Sequence, residues 1–77
     1  MSHDVTKILD LKGLPCPMPV VKMAAEIKTV KVGEIIEVHT TDPGSLSDFP
    51  AWAKTTGNQV LESVQGNPIK IYVKRLK

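Results

Sequence analysis

The chain of 77 residues has one cysteine, one Phe, one Trp and one Tyr, and no long hydrophobic run. A single cysteine excludes an internal disulfide, and with it the class of secreted domains that depend on disulfides. The start carries Asp4 and lacks the apolar stretch of a signal peptide, and no later segment is long enough to span a bilayer. We therefore expect a cytoplasmic protein that makes no contact with a membrane.

The net charge and the length of the chain are also small. Ten Lys and Arg against eight Asp and Glu give a net charge of +2, and this weak bias with so few aromatic residues argues against direct nucleic-acid binding. A chain of this length buries only about 60% of its unfolded surface, which leaves little room for a deep substrate cavity. We expect one domain over residues 1–77, a monomer, and a carrier, adaptor or binding module in preference to a self-sufficient enzyme.

Hydrophobic periodicity predicts the order β-α-β-α-β-β. Ile36 and Val38 point inward from the second strand, whereas Glu37 and His39 point the other way. The class is therefore α+β, a two-layer α/β sandwich with a mixed four-stranded sheet and two helices on one face. The predicted strands cover residues 5–11, 34–40, 60–64 and 69–74, and the predicted helices cover residues 19–29 and about 48–56.

The start of the second helix is predicted from local signals. The stretch "TDPGS", residues 41–45, is typical of a turn, and Ser45 with Asp48 has the spacing of a capping box. Pro50 is unfavourable deep inside a helix, so we expect a separate first turn and a regular helix from about Asp48. Gly57 is predicted to end that helix.

The stretch "GLPCPMPVVK", residues 13–22, holds the only cysteine. Pro17 favours extended geometry at Cys16, as a helix N-cap residue requires, and Pro17 itself suits the first helical position. Pro19 disfavours helical geometry at Met18, which leaves open a helix that begins one turn later with Met18 as its cap. The helix-start motif is therefore Pro17, Met18 and Pro19.

A thiol at a helix start is favoured in its anionic form, because unpaired backbone N–H groups and the helix dipole stabilise negative charge. The pKa of Cys16 is accordingly expected to lie below its ordinary value. The prolines carry no N–H, so the backbone N–H groups of Met18 and Val20 are the candidates for stabilising a sulfur anion. An inert, structural Cys16 remains an equally open interpretation of this pattern alone.

The sequence offers no partner group for Cys16. His3 lies close to the N-terminus, and His39 is predicted to face water, which favours a solvated role over a catalytic one; one cysteine with two separated histidines does not make a metal site. With no second cysteine there is no intramolecular resolving step. We expect no metal and no cofactor, and a thiol suited to accepting a group and passing it on.

The stretch "LDLKGLPCPMPVVK", residues 9–22, resembles the TusA (SirA-like) sulfur-carrier family, whose signature is a strand, a short Gly-Leu loop and Cys-Pro-x-Pro opening a helix. The stretch "TTDPGSLSDFPAWAKTTGNQVLES", residues 40–63, is similar to the family's second half. The resemblance implies that Cys16 is the catalytic residue, which accepts sulfane sulfur as a persulfide. It also implies the same two-layer fold.

The resemblance further implies protein partners. Family donors are a cysteine desulfurase or a rhodanese, and acceptors are DsrE-like or DsrC/TusE-like proteins, in tRNA thiolation, molybdenum-cofactor biosynthesis or oxidation of reduced sulfur compounds. Leu14 and Met18 are candidates for an apolar docking rim, Lys22 for docking an acidic partner, and Asp42 for a place near the active end. The alternative is a regulatory or RNA-binding module with a structural or redox-sensing cysteine.

Overall fold

The computed structural model describes residues 5–15 and 18–77. Its elements follow the predicted order β-α-β-α-β-β, and no helix in the described residues is long and apolar enough to cross a bilayer. The elements are β1 (Val5–Leu11), α1 (Met18–Glu26) continued by the 3-10 turn η1 (Ile27–Thr29), β2 (Ile35–Thr40), α2 (Ser45–Thr56), β3 (Gln59–Val64) and β4 (Ile69–Lys74).

The four strands form one mixed sheet in the order β1-β2-β4-β3. β1 and β2 are parallel, with Leu11 opposite Thr40, whereas β4 runs antiparallel to both β2 and β3. The parallel pair is connected through α1, as a crossover requires, and the last two strands make a hairpin. The predicted mixed sheet is confirmed.

The core lies between the helices and one face of the sheet. Ile36 and Val38 are fully buried, as predicted, and Phe49 and Met23 are the largest side chains with no exposed surface. Alternation on β1 and β4 supplies the rest of the sheet face, because side chains two apart point the same way. The buried hydrophobic residues are Leu11, Met23, Ile27, Val30, Ile36, Val38, Phe49, Ala53, Ile69, Ile71 and Val73.

The start of α1 falls between the two predicted alternatives. The helix begins at Met18, which places buried Pro19 in its first turn. A proline is tolerated there because the N–H groups of a helix's first turn have no partner within the helix. Val20, Met23 and Ile27 then meet the core at helical spacing.

The predicted late start of α2 is wrong. The helix runs without a break from Ser45 to Thr56 and contains Pro50. Leu46 N–H donates to the Pro43 oxygen at 3.1 Å, and Asp48 N–H donates to the Gly44 oxygen at 2.9 Å. These successive hydrogen bonds make the first turn continuous with the rest of the helix. Pro50 then forfeits only one internal hydrogen bond.

The predicted capping box at Ser45 is also wrong. Gly44 occupies the N-cap position without a side-chain capping bond, and Ser45 is buried inside the first turn. The Ser45 hydroxyl lies 3.1 Å from the Thr40 hydroxyl, within hydrogen-bond distance. Its oxygen therefore pairs with a buried group on the core side of the helix. The stop at Gly57 is confirmed, with a φ of 80° that favours glycine.

Candidate functional site

The edge of the sheet at the carboxyl ends of β1 and β2 positions the segment that leads to Cys16. Leu11 and Thr40 end the parallel pair opposite one another. Gly13 N–H, in a turn with a φ of 82°, donates to the Thr41 hydroxyl at 2.9 Å. The loop after β1 is therefore tied to the end of β2, and Gly13 is suited to this because it tolerates positive φ.

Cys16 and Pro17 lie outside the described residues, and so does His3. On either side of them, the Pro15 oxygen accepts a hydrogen bond from Met18 N–H at 2.9 Å, and α1 begins at Met18. The chain that carries the cysteine thus joins the tied loop to the first turn of a helix. The catalytic role of Cys16 stays a prediction.

The first turn of α1 bears on the two predicted backbone donors. Met18 N–H already has the Pro15 oxygen as its acceptor. Val20 N–H belongs to the same first turn, where helix geometry supplies no acceptor four residues back for the leading donors. Both remain predictions as stabilisers of a sulfur anion.

The residues predicted to dock a partner differ in exposure. Met18 is 36% exposed and Lys22 is exposed, whereas Leu14 is half-buried and packs against the core. Val21, which sequence analysis did not single out, is 52% exposed. Val21 is an apolar residue outside the buried apolar stripe of α1. An apolar residue at such a position is the signal in the sequence that could have identified it as part of a surface. Met18 and Val21 together give the helix start an apolar surface.

The turn between β2 and α2 completes this edge. Buried Thr40 accepts a hydrogen bond from Asp42 N–H at 3.2 Å, and Asp42 Oδ1 accepts one from Gly44 N–H at 3.1 Å. The other carboxylate oxygen, Oδ2, is buried with no hydrogen-bond partner within the described ranges. Asp42 therefore lies in the turn next to Thr41, which holds the loop before Cys16. Sequence analysis missed the buried Thr40 and Ser45 pair, because nothing local marks it.

His39 lies on the face of the sheet that the helices leave uncovered. Its Nε2 is 2.5 Å from Glu37 Oε2, and the two side chains are only 20% and 15% exposed. The orientation is as predicted, away from the core, although both side chains are half-buried instead of fully solvated. Because α1 covers the opposite face, His39 is not positioned as a base for a group at the start of α1.

A hydrogen-bond network joins Glu37 to two neighbours. The His39 hydrogen bond lowers the pKa of Glu37 most, burial opposes that, and a hydrogen bond from Tyr72 lowers it further. Burial first, and then the charge of Glu37, raises the pKa of Tyr72. Glu37 and Tyr72 are register partners on β2 and β4, so the network crosses the centre of the uncovered face.

Comparison with known families shows which family the chain belongs to. The family described as Sulfurtransferase TusA matches residues 7–75. The chain belongs to the TusA family. The match includes the loop after β1, the start of α1 and the turn before α2, and so covers every part of the candidate site.

Relatives within the TusA family are similar over different lengths. A candidate sulfur carrier protein of Halobacterium salinarum is 44% identical over 78 residues, which cover 99% of this chain and 96% of the relative. The sulfur carrier protein TusA of Allochromatium vinosum is 42% identical over 60 residues, covering 78% and 79%. YrkF of Bacillus subtilis, described as a candidate sulfur carrier protein, is 54% identical over 56 residues, and the match covers 73% of this chain and 30% of YrkF. This chain thus corresponds to only part of some relatives.

A solved structure shows the same fold. The SirA-like protein from Desulfitobacterium hafniense matches 92% of this chain and 99% of its own, with a TM-score of 0.78. At 19% sequence identity the likeness concerns the fold alone. It supports the two-layer arrangement of helices on one face of a mixed sheet.

The Glu37 network predicts how stability depends on pH. A carboxylate whose pKa is lowered in the folded state stabilises it above the unfolded pKa, and that contribution is lost as pH falls through the folded pKa. We expect Glu37→Gln to lower the free energy of unfolding by about 1 kcal/mol at pH 7. Urea denaturation between neutral pH and pH values below 4.5, the ordinary pKa of Glu37, measures this. A cost of Glu37→Gln that did not shrink on the acid side would contradict the role of the charge.

Proposed function

We propose that the protein is a sulfur carrier that accepts sulfane sulfur on Cys16 as a persulfide and transfers it to another protein. Membership of the TusA family, with the match covering the chain on both sides of Cys16, carries the proposal. A relative of near-equal length described as a candidate sulfur carrier supports it. The single cysteine in the chain leaves one position for the sulfur.

The transfer needs no cofactor and no oxidant. The Cys16 thiolate attacks the terminal sulfur of a donor persulfide, a new S–S bond forms, and the donor's own S–S bond breaks with its electron pair left on the donor thiolate. Delivery repeats the exchange, with the acceptor's thiolate attacking the terminal sulfur on Cys16. Each step conserves sulfur, charge and electrons, so a lone thiolate is chemically sufficient.

The start of α1 supplies the electrostatic support in this proposal. The amino end of a helix carries partial positive charge, and Val20 N–H lies in the first turn. Both the thiolate and the persulfide anion are favoured there over their protonated forms. Exposed Met18, Val21 and Lys22 beside it provide an apolar surface with a cation for a partner that brings its own sulfur close.

The partners in this proposal are proteins. A cysteine desulfurase or a rhodanese is the donor, and a DsrE-like or DsrC/TusE-like protein is the acceptor. The pathway is one of tRNA thiolation, molybdenum-cofactor biosynthesis or oxidation of reduced sulfur compounds. The adjacency of genes for these partners on the chromosome would distinguish the three.

Intact-mass measurement tests the proposal. The reduced protein is incubated with a desulfurase and free cysteine, or with a rhodanese carrying a persulfide, and desalted under anaerobic conditions. We expect a gain of one sulfur atom per chain that dithiothreitol removes. Oxygen adducts or disulfide-linked dimers without the sulfur adduct would indicate a redox-sensing thiol, and no adduct of any kind would indicate a structural cysteine; either result would overturn the proposal.

Met18 is predicted to influence the reactivity of Cys16 through its lack of charge. In Met18→Glu a carboxylate two residues from the thiolate opposes it, and the repulsion between two such neighbouring charges in a water-like dielectric is about 1 kcal/mol. We therefore expect the pKa of Cys16 to rise and its alkylation by iodoacetamide, measured at pH values below that pKa, to slow by up to about fivefold. Met18→Gln is the neutral control. Equal or faster alkylation of Met18→Glu than of Met18→Gln would contradict the prediction.

A further inference from the structure

A cleft of about 270 Å³ lies at the end of the molecule where α1, η1 and α2 finish. Ala24, Ile27 and Trp52 provide its apolar walls. Lys28, which also lines it, follows the first residue of α1 by ten positions, or roughly 15 Å along a helix. The cleft is therefore separate from the surface around the start of α1.

The remaining wall of the cleft is the segment that follows β4, and hydrogen bonds hold it against the rest of the protein. The Arg75 guanidinium donates from Nη1 to the Val30 oxygen and from Nε to the Lys77 oxygen. Leu76 N–H donates to Asn58 Oδ1 at 3.0 Å. Hydrogen bonds to Val30, which follows η1, and to Asn58, which follows Gly57 at the end of α2, thus hold this wall in place. The cleft is therefore bounded by α1 with η1, by α2 and by the segment after β4.

The side chains around the cleft carry charge of one sign. Lys28, Arg75 and Lys77 line it, and no acidic side chain is among its lining residues, although the main-chain oxygen of Lys77 accepts a hydrogen bond from Arg75 Nε. Glu26, the acidic residue nearest in sequence on α1, pairs with Lys7 and is therefore engaged on the β1 side. A guanidinium has five N–H donors and Arg75 uses two of them in the bonds above, which leaves donors for an incoming anion.

We propose that this cleft binds a small amphipathic anion, an aliphatic carboxylate of about ten non-hydrogen atoms. Its volume of about 270 Å³ is large enough for octanoate, whose eight carbons include the carboxylate carbon. The apolar chain lies against Trp52 and Ile27, and the carboxylate meets Lys28 and Arg75. Such a site has apolar walls and a few placed charges, as ligand pockets generally do.

Trp52 is the only tryptophan in the chain, so its fluorescence reports on the cleft directly. Titration of the whole protein with octanoate is expected to give a saturable change with a dissociation constant in about the millimolar range, the affinity usual for so small a ligand. The matched neutral probe is 1-octanol, which is expected to bind at least about fivefold more weakly. No saturable response to octanoate, or equal binding of 1-octanol, would overturn the proposal.

A pair of variants tests the position of the anion. Lys28→Glu reverses a charge that lines the cleft, whereas Lys31→Glu makes the same change at an exposed lysine that does not line it. Octanoate binding is expected to weaken at least about fivefold in the first and less than twofold in the second. Equal weakening would mean that net charge alone governs binding and would overturn the proposed site. The experiment does not involve Cys16, so its outcome is independent of the sulfur-carrier function.

Discussion

Cys16→Ser is expected to accept no sulfur and to deliver none, with complete loss of the sulfur adduct by intact mass. A hydroxyl keeps the size of the side chain but forms no S–S bond, so the exchange has no covalent intermediate. The chain has one cysteine and three methionines, and a methionine thioether has no free valence for a persulfide. The loss is therefore expected to be complete and not partial.

The same variant separates chemistry from docking. Exposed Met18, Val21 and Lys22 are unchanged in Cys16→Ser, so its affinity for a sulfur donor is expected to stay within about twofold of wild type, because a few anchoring side chains supply most of an interface's affinity. Affinity is measured by calorimetry with a desulfurase or a rhodanese. Excess Cys16→Ser should then slow sulfur loading of wild type by competition. Sulfur retained on Cys16→Ser would place the acceptor atom elsewhere and contradict the carrier mechanism.

The sequence predicted those parts of the fold that depend on short-range patterns. β1 and β4 occupy the predicted residues, because alternation over six or seven residues identifies a strand with one buried face. The continuous start of α2 could not be predicted this way. Pro50 disfavours a helix by itself, and the bonds around Gly44 that lead the turn into α2 become visible only in the folded backbone.

The candidate site also has parts that short-range patterns predict and parts that depend on the folded chain. The start of α1 could be predicted to within a residue because prolines and a helical stripe lie within a few residues of each other, and the role of Cys16 beside it stays a prediction. The bond from Gly13 to Thr41 and the pairing of Thr40 with Ser45 depend on the register of β1 against β2 and on the turn that follows. The cationic cleft brings together α1, α2 and the segment after β4, so no local pattern could indicate it.

Phe49→Ala is expected to have the largest effect on stability. Phe49 is fully buried in the core and packs edge to face on Trp52, with ring centroids 6.4 Å apart. Truncating a buried Phe costs about 3–5 kcal/mol. At about 0.05–0.15 kcal/mol per residue, a chain of 77 residues has about 4–12 kcal/mol in total. Urea denaturation followed by circular dichroism should show loss of about a quarter or more of the stability.

Two controls distinguish the cavity left by Phe49→Ala from a general effect of truncation. Phe49→Leu keeps most of the buried volume and is expected to cost about 1–2 kcal/mol. Val21→Ala removes an apolar side chain that is 52% exposed and should change stability by less than about 0.5 kcal/mol. Because Phe49 anchors the helix whose first residue, Ser45, meets Thr40, the loss is expected to loosen the turn beside the Cys16 loop as well. Hydrogen exchange that speeds up only near the carboxyl end of α2 would contradict that coupling.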